Sequence, residues 1–240
     1  MTVPNSSYVV GAVLVLVGLV PTRAAAQTPS TGDAVWASVE GHGQLRSNLR
    51  ALILGGSKSG TDYDYQQWIV GLGLGLQLKS FARPHLADID PDREHSIVIG
   101  AGYEYLQTDE TAKPSSENRL VADFTARSRP PAEFLVTDRN RVEFRWVDGD
   151  YSTRYRNRLT VERASRIGGL RLTPYVSAEF FYDWAKDSWN EEQYAAGIEW
   201  PYKNVLKLST YYLYQDCTTC SPRNLNVAGL SLNYFYRRAR

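Results

Sequence analysis

Between residues 141 and 162 the chain sets arginine and glutamate at alternate positions: Arg141, Glu143 and Arg145, then Arg154, Arg156, Arg158 and Glu162. Glu104, Asp123 and Glu179 fall at matching positions of other alternating segments. Spacing by two puts side chains on one face of a β-strand. A strip of guanidinium groups on such a face can grip a phosphate or carboxylate, from a lipid headgroup or a small anionic solute. With carboxylates on the adjacent strand the same strip can instead satisfy itself as a salt-bridged filling. The candidate site is this charge ladder, and both kinds of chemistry are open to it.

The strands that carry the ladder are announced by a turn. Val147-Asp-Gly-Asp150 separates two alternating runs, and Asp-Gly favours a two-residue type I′ hairpin. With Asp148-Gly149 as the loop, Glu143 pairs with Arg154 and Arg141 with Arg156 on one face. Trp146 then meets Tyr151, and Val142 meets Tyr155, on the other. Every oily side chain stays on one face and every charge on the other, so the turn and the pattern agree.

Alternation continues over most of the chain after residue 33. Trp68-Ile-Val-Gly-Leu-Gly-Leu-Gly-Leu-Gln-Leu-Lys79 carries Trp, Val and Leu on one face and Gly71, Gly73, Gly75 and Gln77 on the other. Glycines that alternate within a strand, with no helix following, are not a phosphate loop; they leave room on the inner face or let the sheet curve. Further strands are expected near residues 97–105, 119–127, 141–146, 151–162, 171–184, 191–200, 204–215 and 225–236. The stretch 34–54 reads as one long strand, or as two split at Gly41-His42-Gly43. Taken as one, it gives ten strands, with twelve as the alternative. An even number leaves both termini on the periplasmic side, as bacterial barrels have them.

The aromatic residues distinguish a membrane barrel from a secreted sandwich with a leucine core. With the C-terminus in the periplasm, Trp68, Tyr103, Tyr105, Trp146, Tyr182, Trp184, Tyr212 and Tyr214 all fall near the outer end of their strands. Trp200, Tyr234 and Tyr236 fall near the inner end, and aliphatic residues lie between. That is an interfacial aromatic girdle around an aliphatic band, a sorting that a sandwich core has no reason to show. The fold expected is an all-β transmembrane antiparallel barrel. One misfit stands out: Ser80 to His95 is a long connection on the side where short turns are the rule.

Residues 1–26 read as a cleaved signal peptide: an apolar run from Tyr8 to Val20, then Ala24-Ala25-Ala26. No basic residue precedes the run. Residues 27–33 form a short N-terminal segment and 34–240 the barrel. Loss of Arg23 with the signal would leave 26 basic and 26 acidic residues, so charge offers no case for nucleic acid. The expected partners are the outer-membrane bilayer and lipopolysaccharide, and the chain is expected to be a monomer.

Other chemistry finds little support. Cys217 and Cys220 fit a loop disulfide formed after export better than a metal or redox pair. No His/Cys cluster has metal-ligand spacing, and no cofactor is indicated. The histidines are His42, His85 and His95. His95 and Ser96 point to opposite faces of a strand, and His42 could meet Ser38 or Ser47 only across strands. No catalytic residue is assigned.

The blocks RVEFRW (141–146), DGDYSTRYRNRLTVE (148–162) and PYVSAEFFYDW (174–184) carry a resemblance. An Arg/Glu-alternating strand, an Arg-Tyr-Arg-x-Arg strand and a Glu-Phe strand together resemble a family of uncharacterised outer-membrane β-barrels of Gram-negative bacteria, a domain of unknown function. Here these are Arg141, Glu143 and Arg145; Arg154, Tyr155, Arg156 and Arg158; and Glu179 with Phe180. Trp36 and the aromatic last strand fit as well, so the resemblance covers about residues 33–236. It implies the barrel and its location and no activity. The role expected is a structural or envelope-binding barrel with a largely filled lumen. A narrow channel for small anionic solutes and an outer-membrane lipid hydrolase are the alternatives.

Overall fold

The structure is a computed structural model that describes residues 31–80, 93, 95–109, 114–130, 134–202 and 205–236. Residues 1–26, read above as a signal peptide, and most of the connection between Ser80 and His95 lie outside the described residues. Twelve strands follow in chain order: β1 (Thr31–Arg46), β2 (Leu49–Gly60), β3 (Gln66–Ser80), β4 (His95–Asp109), β5 (Ser115–Ser128), β6 (Phe134–Val147), β7 (Asp150–Arg163), β8 (Ser165–Ile167), β9 (Leu170–Asp183), β10 (Ser188–Tyr202), β11 (Leu206–Cys217) and β12 (Asn224–Tyr236). All but the three-residue β8 form a closed barrel, with each strand hydrogen-bonded on both sides. Closure leaves no edge strand to pair with other chains.

The barrel has eleven strands, not the even number expected. The stretch 34–54 is two strands, and the break falls at Ser47-Asn48 rather than at Gly41-His42-Gly43. The polar pair Ser47-Asn48 carries no glycine to flag it. Consecutive hairpins reverse direction at each turn, so an odd count makes the first and last strands point the same way. β1 and β12 accordingly close the barrel in parallel, from Thr31 opposite Asn224 to Gly43 opposite Tyr236. The described start of β1 therefore lies at the end of the barrel that carries Cys217–Cys220, and β12 finishes at the other. We refer to these as the disulfide end and the C-terminal end.

β8 extends the β7–β9 hairpin rather than forming a separate element. Glu162 pairs with Tyr175, and three residues on, Ser165 pairs with Leu172, so the register runs through the break. Pro174 sits opposite that break and has no N–H to donate to the ladder. The hairpin at Asp148-Gly149 follows the sequence reading. Both residues have positive φ (50° and 96°), and Glu143 faces Arg154, Arg141 faces Arg156, Trp146 faces Tyr151 and Val142 faces Tyr155.

The outer face is apolar along most of its height. Ile53 is 68% exposed, Leu72 64% and Val70 58%, and Leu120, Phe124, Leu159 and Leu208 join them. Exposed side chains of this size in a continuous belt need an apolar surrounding. Trp68, Tyr103, Tyr105 and Tyr212 stand exposed toward the disulfide end, with Trp184 in the turn just past β9. Trp146, Tyr182 and Tyr214 share that end but are half-buried. Trp146 packs on Tyr151, and Tyr182 on Trp184 and Trp189, at centroid distances of 5.4–5.6 Å.

Inside, two tyrosines lie flat across glycines of the neighbouring strand. A Cβ on Gly229 would fall 2.0 Å from the Tyr211 ring, and one on Gly197 would fall 2.7 Å from Tyr175. The rings thus occupy the space that side chains at these positions would need. Replacing Gly229 by valine should therefore destabilise the barrel by about 1–3 kcal/mol through overpacking. The measurement is the urea midpoint of the refolded protein in vesicles, and an unchanged midpoint would mean that the ring swings away freely.

Candidate functional site

The pleat directs every member of the predicted ladder into the lumen, where they form rungs across five strands. Glu104, Arg119 and Arg145 are neighbours on β4, β5 and β6. The next rung toward the C-terminal end runs Val121, Glu143, Arg154 and Asp183, and the one after it Asp123, Arg141, Arg156 and Phe181. The last runs Thr125, Arg139, Arg158 and Glu179. Two rungs place arginines directly opposite each other, Arg141 with Arg156 and Arg139 with Arg158. Like charges opposed across a sheet are destabilising unless carboxylates intervene.

Two buried glutamates intervene. Glu143 is 0% exposed; Arg154 donates to it through Nε at 2.8 Å and Arg156 through a terminal nitrogen at 2.8 Å, with Arg119 at 3.5 Å. Glu179 accepts from Arg139 at 3.2 Å, Arg156 at 3.0 Å and Arg158 at 2.9 Å. Arg141 makes a two-pronged contact with Asp123 at 2.8 and 2.9 Å and reaches Glu104 at 2.9 Å. Glu117 holds Arg145 at 2.6 and 2.9 Å and Arg119 at 2.9 Å. Phe181, buried in the same wall, lies beneath the guanidinium groups of Arg154 and Arg156, at 5.1 and 4.6 Å. A guanidinium over a ring face is held by the ring quadrupole.

Several contributors are absent from the ladder as predicted. Arg119, Glu117 and Arg139 share the phase of Asp123 and Arg141, so parity alone could have found them. The same holds for Phe181, which stands between the inward Glu179 and Asp183. Arg93 gave no signal, because it precedes β4 in a segment without alternation. It is buried and bonds Glu162 at 2.8 Å and Glu199 as well, so Glu162 belongs to a separate ion cluster toward the C-terminal end.

The ladder fills one wall only. A cavity of about 920 Å³ remains, and every strand except β8 contributes to its lining. It runs from Tyr63 and Pro222 at the disulfide end to His42 and Asn233 toward the C-terminal end. Beside the charges, Gly71, Gly73, Gly75, Gly100 and Gly102 of β3 and β4 leave the adjoining wall bare, Gly100 being paired directly with Asp123. The interior is therefore less filled than the sequence suggested. The lining carries eleven lysines and arginines against eight aspartates and glutamates. One of the cations, Lys58, lies 4.0 Å from the centre of the Trp36 ring and has no carboxylate at ion-pair distance among the described residues, Glu191 acting on it only from farther away.

Chemistry at the other predicted positions is constrained by their neighbours. His42 accepts from Arg50 at Nδ1, 2.6 Å away, while its Nε2 faces Asn233 and Glu40, each at 3.3 Å. Its ring stacks on Phe235 at 4.7 Å. Both ring nitrogens are thus engaged by groups other than a serine hydroxyl. Cys217 and Cys220 are joined as a disulfide, so their sulfurs are not metal ligands even though Glu191 lies close to them.

The family described as protein of unknown function (DUF2490) matches residues 33–226. The chain belongs to that family. The matched segment takes in all of the DUF2490 ladder, from Glu104 to Glu179, and both halves of the Asp148-Gly149 hairpin. None of the curated proteins compared with the chain matches it. In structure, this DUF2490 barrel is similar to the β domain of the Bordetella autotransporter BrkA. Identity is 15%, 72% of this chain and 78% of that chain are covered, and the TM-score is 0.41.

Proposed function

We propose that this protein is an outer-membrane barrel of a Gram-negative cell whose lumen passes small anionic solutes. The observation that carries the proposal is the positive charge of the lumen: the cavity lining is three units positive, and two units positive when the buried Arg93, Glu143 and Asp183 are counted with it, in a chain whose net charge is only +1. Water-excluding walls focus the field of such a surface and raise the local concentration of counter-ions. The carboxylates in the ladder keep the arginines from binding one anion too tightly to release it, a requirement for conduction. The apolar belt and the aromatic residues at its ends support insertion in a bilayer. A non-conducting structural or envelope-binding role, with contact to lipopolysaccharide, is the second reading. It is favoured by Tyr63 and Pro222 at the cavity mouth.

The test has two stages. The protein should enter the outer-membrane fraction and run faster on gels unboiled than boiled. Reconstituted in a planar bilayer under a potassium chloride gradient, it should give a reversal potential with the sign of the chloride equilibrium. A folded, inserted protein with no conductance would favour the structural reading. A cation-selective current would overturn the anion reading.

A further inference from the structure

The lipid-facing surface carries a polar island in the middle of its height. Asp138 and Asn140 of β6 and Tyr155 and Asn157 of β7 all point outward. Asn140 and Asn157 are directly paired, halfway between the Trp146–Tyr151 pair and Phe134 at the opposite end of β6. The Asn157 amide donates to Asp138 at 2.6 Å and to Asn140 at 3.2 Å. Asn140 donates to Asp138 at 3.3 Å and accepts from the Tyr155 hydroxyl. Beside this cluster lies a notch of about 480 Å³ between Phe180 and Trp189.

If the barrel spans a membrane, as proposed above, this island sits at the depth of the acyl chains. Hydrocarbon offers no donor or acceptor there, and carboxylates in that layer are rare and functional. The hydrogen bonds within the island leave groups over on both sides of the account. One N–H of Asn140, the Asn157 carbonyl and two acceptor positions on the Asp138 carboxylate have no partner among the described residues. The complement must bring polar groups to the same depth. A second copy of this chain, inserted in the same direction, does so automatically. A two-fold axis along the membrane normal sets the Asn140 donor of each copy against the acceptors of the other. We infer that the protein pairs with a second copy of itself through the outer face of β6, β7 and β9, in place of the monomer expected from the sequence. The notch beside Phe180 then receives a side chain of the partner.

Single cysteines placed in the full-length protein test the pairing in native outer membranes, where Cys217 and Cys220 already bond each other. Leu159→Cys, beside the island, should give a cross-linked dimer with a short bis-maleimide. Ile53→Cys, on the distant face of β2, should not. Adding Asp138→Leu and Asn157→Leu to Leu159→Cys should abolish the dimer while the heat-dependent gel shift persists. Leu159→Cys that stays monomeric in a heat-shifting, membrane-embedded protein would overturn the pairing alone. A protein absent from the membrane fraction would overturn both the pairing and the membrane reading on which it rests. A dimer that survives the double leucine substitution would show that the island does not mediate it.

Discussion

Glu143→Leu should cost the folded barrel on the order of 3–5 kcal/mol, the largest loss expected from any single change in the lumen. The side chain is fully buried, and Arg154, Arg156 and Arg119 converge on its two oxygens. Leucine fills similar space but removes the carboxylate that all three share: Arg156 keeps Glu179, Arg119 keeps Glu104 and Glu117, and Arg154 is left with Glu191 at 3.7 Å, so the wall carries one uncompensated positive charge. Glu143→Gln should lose less, because an amide oxygen still accepts from Arg154. Combining Glu143→Leu with Arg154→Met should recover part of the loss, since an unpaired buried charge costs more than an apolar replacement of the pair. The readout is the urea dependence of the unboiled, fast-running gel form. Equal midpoints for wild type and Glu143→Leu would mean that water reaches this wall and screens it.

The second large effect concerns which ions pass. Lys58→Glu with Arg158→Glu subtracts four charges, which takes the cavity lining from three positive to one negative. The reversal potential should then change sign, from anion to cation preference. These positions are chosen because neither change strips a buried carboxylate of all its partners. Lys58 rests on Trp36 rather than on an acid, and Glu179 keeps Arg139 and Arg156 when Arg158 is lost. High salt should weaken the selectivity of both forms by screening. A double variant that folds and conducts with unaltered anion preference would show that lumen charge does not set selectivity.

The ladder was legible because its two requirements are local. Period two sorts Arg141, Glu143 and Arg145 from Val142, Phe144 and Trp146 without knowledge of any other strand. The Asp148-Gly149 turn then sets the register of the next fourteen residues. The same parity rule reached Glu104, Asp123 and Glu179 on strands whose neighbours were unknown. It did not reveal the strand number, because Asn48, a residue common in turns, keeps the even polar phase of Arg46 and Arg50, so the alternation runs unbroken through the turn. Arg93 was invisible for a related reason: a residue outside an alternating run has no parity to read.

Taken alone, the amino-acid sequence determined where the chain is extended, the face of each side chain, the oily outside and the charged inside, and the aromatic sorting toward the two ends, but not the number of strands. All of these follow from spacing along one chain and from pairing across one tight turn. Tertiary structure alone decided that eleven strands close with a parallel β1–β12 seam. It also decided that Glu143 and Glu179 each gather three arginines, that the lining is net positive around an open cavity, and that Asp138, Asn140 and Asn157 meet on the outer face. Closure joins residues nearly two hundred positions apart, and a cylinder's strand number and stagger are properties of the whole sheet rather than of any segment. The charge balance of a chain says nothing of how it is divided between two surfaces until the sheet has curled and given one of them an inside.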